Sequence, residues 1–90
     1  MDINDDLRMF SGIGNYKMVK LLLDNGADVN VENNYALRYA SDNGHLDVVK
    51  LLLDNGADIH ADGACAIRWA SSNGHVKVVG LLNEYMRGIR

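Results

Sequence analysis

Leu21-Leu22-Leu23-Asp24-Asn25-Gly26-Ala27-Asp28 is repeated without change at Leu51 to Asp58, 30 residues further along the chain. The same offset relates Ala36-Leu37-Arg38-Tyr39-Ala40-Ser41 to Ala66-Ile67-Arg68-Trp69-Ala70-Ser71, and Asn43-Gly44-His45 to Asn73-Gly74-His75. Repeats with one fixed period of about 20–50 residues are typical of solenoids, whose stacked units share a continuous core. The sequence therefore predicts a solenoid of short repeated units.

The segment from Leu46 to Asp54 has the pattern of an amphipathic helix. Its polar residues are confined to Asp47, Lys50 and Asp54, which share one helix face at spacings of three and four residues. We expect this face to lie in solvent, with weak charge pairing along it. Gly56 follows the segment and favours the left-handed conformation that ends many helices.

A shorter segment rich in small residues precedes each of these helices. Ala40 and Ala70 have little bulk, so a helix that carries them can approach its neighbour closely. Asn43-Gly44 and Asn73-Gly74 are typical turn sequences between two helices. The polar segments 29–34 and 59–64 connect one unit to the next. We predict an all-α fold of three helix-turn-helix units, about residues 5–34, 35–64 and 65–90, within one domain of residues 1–90.

Composition narrows the function classes. The chain has 90 residues, 48% of them hydrophobic, and a net charge of −3, which argues against an electrostatic nucleic-acid binder. No apolar run reaches the roughly 18 residues of a membrane span, and the N-terminus lacks the basic start of a secretory signal. Cys65 is the only cysteine, so no intrachain disulfide forms. These features predict a soluble protein of a reducing, cytoplasmic setting.

The pattern Ala40-Ser41-x-x-Gly44-His45-x-x-Val48-Val49-x-Leu51-Leu52-Leu53-x-x-Gly56-Ala57-Asp58-Ile59 resembles the ankyrin repeat. The resemblance extends from about Leu7 to about Leu82. The family usually has a period of about 33 residues and opens its first helix with Thr-Pro-Leu-His. Here the period is 30, and the corresponding motifs are Tyr35-Ala36-Leu37-Arg38 and Cys65-Ala66-Ile67-Arg68. We expect shortened connecting loops, with a stunted finger or a plain turn in place of the β-hairpin.

The 30-residue form is similar to ankyrin repeats of giant DNA viruses, which would place the protein in the host cytoplasm. The resemblance implies a protein–protein interaction module that binds a partner through its concave face and loops. By position, the face would include Arg38, Tyr39, Asp42, Arg68, Trp69 and Ser72, and the loops Asn33, Asn34, Asp62 and Gly63.

Two alternatives apply to these candidates. Tyr39 and Trp69 are either exposed interface rings, of the kind that dominates binding energies, or packing residues with only their edges exposed. Arg38 and Arg68 are either contact residues or, as we prefer, donors of hydrogen bonds to nearby loop carbonyls.

No pattern of catalytic or metal-binding residues is complete. His45 and His75 occupy equivalent positions in stacked units, too far apart for one zinc ion, so hydrogen bonds to backbone are the better explanation. His60 and Cys65 are only two potential ligands, and no third group supports a nucleophile. Asp2, Asp5 and Asp6 open the first helix, where its dipole favours acidic residues. We expect no cofactor, no metal and no enzymatic activity.

The two ends depart from the repeat. The first unit has Met9, Phe10, Ile13, Tyr16 and Met18 where the second has Tyr39, Ala40, Asn43, Leu46 and Val48, and Ile13 in place of a turn asparagine is the most unusual of these. Either the first helix tilts and buries them as a cap, or they form a surface for self-association. We prefer the cap, and with it a monomer. Residues 83–90 are largely polar and charged, and we expect them to cap the other end, with Arg87 and Arg90 complementing the last helix dipole.

Overall fold

The computed structural model describes residues 2–88, which form six helices and no strand. The helices are α1 (Ile3–Ile13), α2 (Tyr16–Asp24), α3 (Val31–Asp42), α4 (Leu46–Asp54), α5 (Ala61–Ser72) and α6 (Val76–Met86). Consecutive helices pair as α1–α2, α3–α4 and α5–α6, here called the first, second and third units, and α3 lies between α1 and α5. The predicted all-α stack of helix-turn-helix units is confirmed. Among the described helices, none has the length and hydrophobicity needed to cross a membrane.

The first helix begins as its acidic residues predict. The Asp2 side chain accepts a hydrogen bond from the backbone N–H of Asn4 at 2.9 Å, and Asp5 and Asp6 lie in the first turn of α1. A carboxylate that satisfies an unpaired backbone N–H also interacts favourably with the positive end of the helix dipole. These contacts account for the acidic cluster without a metal ion.

Each connection between units is a single left-handed turn. Glu32, Asn33 and Asn34 have φ angles of 51°, 56° and 61°, and residues 62–64 repeat the conformation with φ angles of 53°, 63° and 60°. The regular parts of α3 and α5 begin only after these residues, at Tyr35 and Cys65. The expected plain turn in place of a β-hairpin is confirmed.

The core runs through all three units. Small residues of the first helices, Ala36, Ala40 and Ala70, are almost completely buried, as their predicted role in close packing requires. Leu52 of α4 is also fully buried. On the opposite face of α4, Lys50 Nζ lies 2.9 Å from Asp54 Oδ2, so the predicted polar stripe is confirmed.

Adjacent units are joined by hydrogen bonds to one backbone carbonyl at each junction. Asn43 Nδ2 and His45 Nε2 lie 3.0 and 2.9 Å from the carbonyl oxygen of Gly12. Asn73 and His75 make the same two contacts, at 3.0 and 2.9 Å, with the carbonyl of Asp42. Because a carbonyl only accepts, Nε2 of each histidine carries the proton. The prediction that these histidines bind backbone is confirmed.

Each of these histidine rings packs against a glycine of the preceding unit. Gly14 and Gly44 have φ angles of 78° and 77°, and a Cβ at either would lie 2.5 or 2.6 Å from Nδ1 of His45 or His75, respectively. Both the left-handed backbone and the space therefore require glycine.

The ends of the stack correct one expectation. Ile13 and Met9 are 63% and 51% exposed, and Tyr16 is also exposed, so the prediction that the first helix buries them as a cap is wrong. Phe10 and Met18 are half-buried. The reason is that Met9 and Ile13 face the groove described below. At the other end Arg87 follows α6 and is exposed, whereas Arg90 lies outside the described residues.

Candidate protein-binding surface

An open groove of about 450 Å³ crosses the first helices of the first and second units. Its apolar walls are Met9, Ile13, Tyr35 and Tyr39. Its polar border consists of Asp5, Arg8, Gly12 and Asn43. We call these eight residues the concave groove. The charged groups at its border are an ion pair between Arg8 and Asp5, so the groove offers mainly apolar area.

The groove continues into a smaller depression between the second and third units. Tyr39, Asp42, Trp69, Ser72 and Asn73 line this depression, which measures about 270 Å³. Tyr39 belongs to both hollows and is 39% exposed, while Trp69 is half-buried. Both rings therefore combine packing with exposure. Four of the predicted face residues, Tyr39, Asp42, Trp69 and Ser72, are brought together here.

Arginine and aromatic side chains alternate along this surface. The Arg8 guanidinium lies 5.3 Å from the Tyr35 ring centroid, and the Arg38 guanidinium lies 5.5 Å from Tyr35 and 5.8 Å from Trp69. We call Arg8, Tyr35, Arg38 and Trp69 the cation–aromatic ladder. Such contacts contribute about 0.5–1 kcal/mol each at exposed sites. The ladder links all three units through contacts of Arg8 and Arg38 with Tyr35 and Trp69.

A family model of ankyrin repeats, in three copies, matches residues 7–89. The chain belongs to the ankyrin-repeat family. Ankyrin repeats are generally protein–protein interaction modules and are typically non-enzymatic. Comparison with curated proteins returns no similar sequence.

The arginines of this ankyrin stack hold the loops that precede them. Arg38 donates to the carbonyls of Asn33 and Glu32 at 3.2 and 3.3 Å. Arg68 makes the equivalent bonds to Gly63 and Asp62 at 3.2 and 3.1 Å. The preferred interpretation of both arginines is confirmed. They stabilise left-handed turns whose carbonyls would otherwise face solvent.

One loop candidate is corrected by its burial. Asn34 is only 4% exposed, and its Oδ1 accepts a hydrogen bond from the backbone N–H of Asp58 at 2.8 Å. A side chain so placed shapes the connection to the third unit and is not available to a partner. Asn33, Asp62 and Gly63 are exposed at the loop tips, as predicted.

Tyr35 and Tyr39 are neighbours in the concave groove, and Tyr39 affects the pKa of Tyr35. The rings of Tyr35 and Tyr39 have centroids 4.3 Å apart. The hydrogen bond to Tyr39 and, next, partial desolvation raise the pKa of Tyr35 above its ordinary value of 10.0, although Arg8 and Arg38 oppose the shift. The phenol therefore stays protonated at neutral pH and serves as a hydrogen-bonding group.

The described residues assemble no metal site. Nowhere in residues 2–88 do three side chains of His, Cys, Asp or Glu converge as potential ligands. Cys65 is buried, so its thiol is not presented to solvent. Tyr35, Tyr39 and Trp69 thus lie together on the concave surface, whereas the described residues bring no comparable set of potential metal ligands together.

Sequence reasoning missed the first unit's share of the groove. Met9 stands 30 residues before Tyr39 and 60 before Trp69, so the three occupy one repeat position. Side chains at one repeat position lie side by side in a stack of ankyrin units. That offset was the available signal, and it places Met9 on the same surface as the two aromatic rings.

Proposed function

We propose that this ankyrin-repeat chain is an adaptor or scaffold that binds a partner protein through its concave groove and loop tips. The observation that carries the proposal is the continuous apolar surface formed by Met9, Ile13, Tyr35, Tyr39 and Trp69. Tyrosine and tryptophan dominate interface energies because they bury large areas with few rotatable bonds and keep a polar group for hydrogen bonding. The ladder arginines contact Tyr35 and Trp69 and favour the positions in which these two rings face a partner.

The charges of the surface favour a protein over a nucleic acid. Arg8 is paired with Asp5 and with Glu32 at 3.1 Å, and Arg38 lies 3.7 Å from Asp62. Arginines that are already neutralised offer little to a phosphate backbone, whose binding depends on displacing counterions with unpaired cations. We propose a cytoplasmic interaction protein, monomeric, without cofactor or catalytic role, and with no membrane or nucleic-acid partner.

The first test is a pull-down from cell lysate with the wild type and a Tyr39→Ala/Trp69→Ala variant. Loss of both rings removes the centre of the surface, and we expect the bound partner to be lost or reduced at least tenfold, equivalent to about 1.4 kcal/mol. Leu21→Ala/Val76→Ala is the matched control, since both residues are exposed and lie outside the hollows lined by Tyr39 and Trp69.

Circular dichroism establishes first that all three proteins fold. A partner retained equally by the double variant would show that the concave surface is not the binding site. Binding would then have to be sought at the loop residues Asn33, Asp62 and Gly63.

The exposed side chains of the first unit favour a second candidate function. Ile13, Met9 and Tyr16 are exposed apolar side chains through which two copies could associate as a structural repeat protein. Sedimentation over a concentration series distinguishes the candidates. Self-association predicts a mass that rises with concentration and an Ile13→Asp variant that remains a single chain. A wild type that stays at 9.9 kDa throughout would contradict this candidate.

A further inference from the structure

Equivalent positions of the three units differ in burial at the C-terminal end of the stack. Six side chains are completely or almost completely buried: Leu7, Ser11 and Val19 in the first unit, and Leu37, Ser41 and Val49 in the second. Their counterparts in the third unit are Ile67, Ser71 and Val79, of which Ser71 is exposed and the other two are half-exposed. The third unit thus keeps the residue types of an internal junction on a surface that the described chain leaves open.

These residues form a shallow hollow with two neighbours. Ile67, Arg68, Ser71, Ser72 and Val79 line it, and we call them the acceptor face. The corresponding faces of the first and second units are each covered by the next unit. These two junctions therefore show which groups of an incoming unit bind to such a face.

The first feature of both junctions is that the turn of the incoming unit forms hydrogen bonds to a backbone carbonyl of the unit before it. The incoming unit supplies an asparagine and a histidine to one carbonyl, that of Gly12 or Asp42, and lays the histidine ring against Gly14 or Gly44. The acceptor face retains both receiving elements. Ser72 stands at the carbonyl position, and Gly74 has the same left-handed φ of 75° with nothing within 4 Å of the position of a Cβ.

The second feature is a carboxylate from the loop of the incoming unit. Glu32 lies 3.1 Å from Arg8, and Asp62 lies 3.7 Å from Arg38. Arg68 holds its own loop as Arg38 does, but it pairs with no carboxylate within residues 2–88. An exposed guanidinium beside the apolar side chains of Ile67 and Val79 is suited to an acidic group of a partner.

A second wild-type copy does not fit this face. In the second and third units, two alanines of the first helix are buried at each junction: Ala36 and Ala40, then Ala66 and Ala70. The first unit has Asp6 and Phe10 at these positions, both half-exposed. It also has Ile13 and Asn15 in place of the bonding asparagine and histidine. The larger side chains and the missing donors oppose in-register stacking of copies.

The end of α6 differs from the ends of α2 and α4. The helices α2 and α4 end at Asp24 and Asp54, followed by Asn-Gly-Ala-Asp, whereas α6 continues to Met86. The Asn-Gly-Ala-Asp connection that joins the second unit to the third is therefore not repeated at the end of α6. This difference favours a covering unit that another chain supplies.

We propose that the acceptor face binds one ankyrin-type helix-turn-helix unit of another protein. That unit carries Asn-Gly-His or an equivalent turn, two small residues on its first helix, and an aspartate or glutamate in the loop before it. The side chains of Ile67 and Val79 pack on its apolar face. The backbone carbonyl of Ser72 accepts the hydrogen bonds of its turn, and Arg68 pairs with its acidic loop residue. Ser72 borders both this face and the smaller depression, but Ile67 and Val79 line neither the concave groove nor that depression, so variants at Ile67 test this proposal apart from the first.

The test uses a donor made from this chain. Asp6→Ala, Phe10→Ala, Ile13→Asn and Asn15→His give the first unit the docking residues of an internal unit, and Ile67→Asp disables the donor's own acceptor face. Mixed with wild type, this donor is expected to form a two-chain complex, a shift to twice the 9.9 kDa of one chain in sedimentation. A second donor, in which residues 31–60 are copied in place of residues 1–30, presents a complete internal unit in case the substitutions prevent folding.

The acceptor variants decide the assignment. Ile67→Asp in the acceptor should abolish the complex, whereas Leu21→Asp, the same change at an exposed leucine of the first unit, should leave it intact. Arg68→Gln should weaken binding severalfold. Folded donors that leave the wild type at the mass of one chain would overturn the proposal, as would a complex that survives Ile67→Asp in the acceptor.

Discussion

Gly44→Ala is expected to destabilise the protein by roughly 2–4 kcal/mol, whereas Gly74→Ala, the same change one unit later, should cost only about 1–2 kcal/mol. Both glycines are left-handed, with φ angles of 77° and 75°. They differ in what a methyl group would meet. At Gly44 it would lie 2.6 Å from the His75 ring, and at Gly74 it would meet nothing within 4 Å.

The difference between the two variants measures the junction itself. To admit the methyl group, His75 must move, and its hydrogen bond to the Asp42 carbonyl is then lost, at about 0.5–1.5 kcal/mol. Urea unfolding followed by circular dichroism gives both free energies, and each kcal/mol lowers the melting temperature by roughly 4–8 °C in a protein of this size. Equal losses for the two variants would show that His75 contributes nothing to the junction.

Leu37→Ala should produce a comparable loss of about 3 kcal/mol. Leu37 is 1% exposed between the second and third units, and removing a buried leucine costs the transfer of its atoms from water and leaves a cavity. Ile67→Ala, at the equivalent position of the third unit, removes a half-exposed side chain and should cost about 1 kcal/mol.

This pair tests whether stability resides in the junctions. The whole chain is expected to have only about 5–13 kcal/mol of folding free energy, so the loss at Leu37 is a large fraction of it. Thermal and urea unfolding of the two variants should therefore differ clearly. A loss at Ile67 as large as that at Leu37 would mean that the acceptor face is covered in solution, for example by a second chain.

Much of the fold can be predicted from the sequence because the same residues recur at equivalent positions of successive units. The periodic leucines of α4 and the asparagine-glycine turns recur at one offset, so helices, turns and stacking follow together. The backbone bonds of His45, Arg38 and Arg68 were predictable for the same reason. A polar residue at a fixed place in each unit is most simply explained by a partner that every unit also contains.

Two features were not readable from local pattern. Left-handed backbone at three successive residues is expected of glycines, yet only Gly63 among the six residues of the two turns is one. Arg38 and Arg68, which follow the turns by five and six residues, donate hydrogen bonds to their carbonyls and so favour this conformation. The burial of Asn34 likewise depends on Asp58, 24 residues away, whose N–H it accepts. From the neighbouring residues alone, Asn34 lies in a polar loop and its side chain is expected to be exposed.

The candidate surface was predicted in part. Tyr39, Asp42, Trp69 and Ser72 do lie together, because they occupy two equivalent positions in adjacent units. Met9 and Ile13 looked like a separate terminal patch when the chain was followed in order. In the stack their neighbours are the residues 30 positions later, so the supposed end of the molecule is one wall of its groove.

The cation–aromatic ladder also contains an intrinsic fluorophore, Trp69, whose emission reports on the junction between the second and third units. Trp69 is the only tryptophan in the chain, and its ring lies 5.8 Å from the guanidinium of Arg38 in the neighbouring unit. All indole fluorescence therefore originates at the junction between the second and third units, on the wall of the smaller depression. Local unfolding of the third unit changes the polarity around Trp69, and so does the binding of a partner in that depression. The two events differ in helicity, so emission and circular dichroism recorded together separate them without any added label.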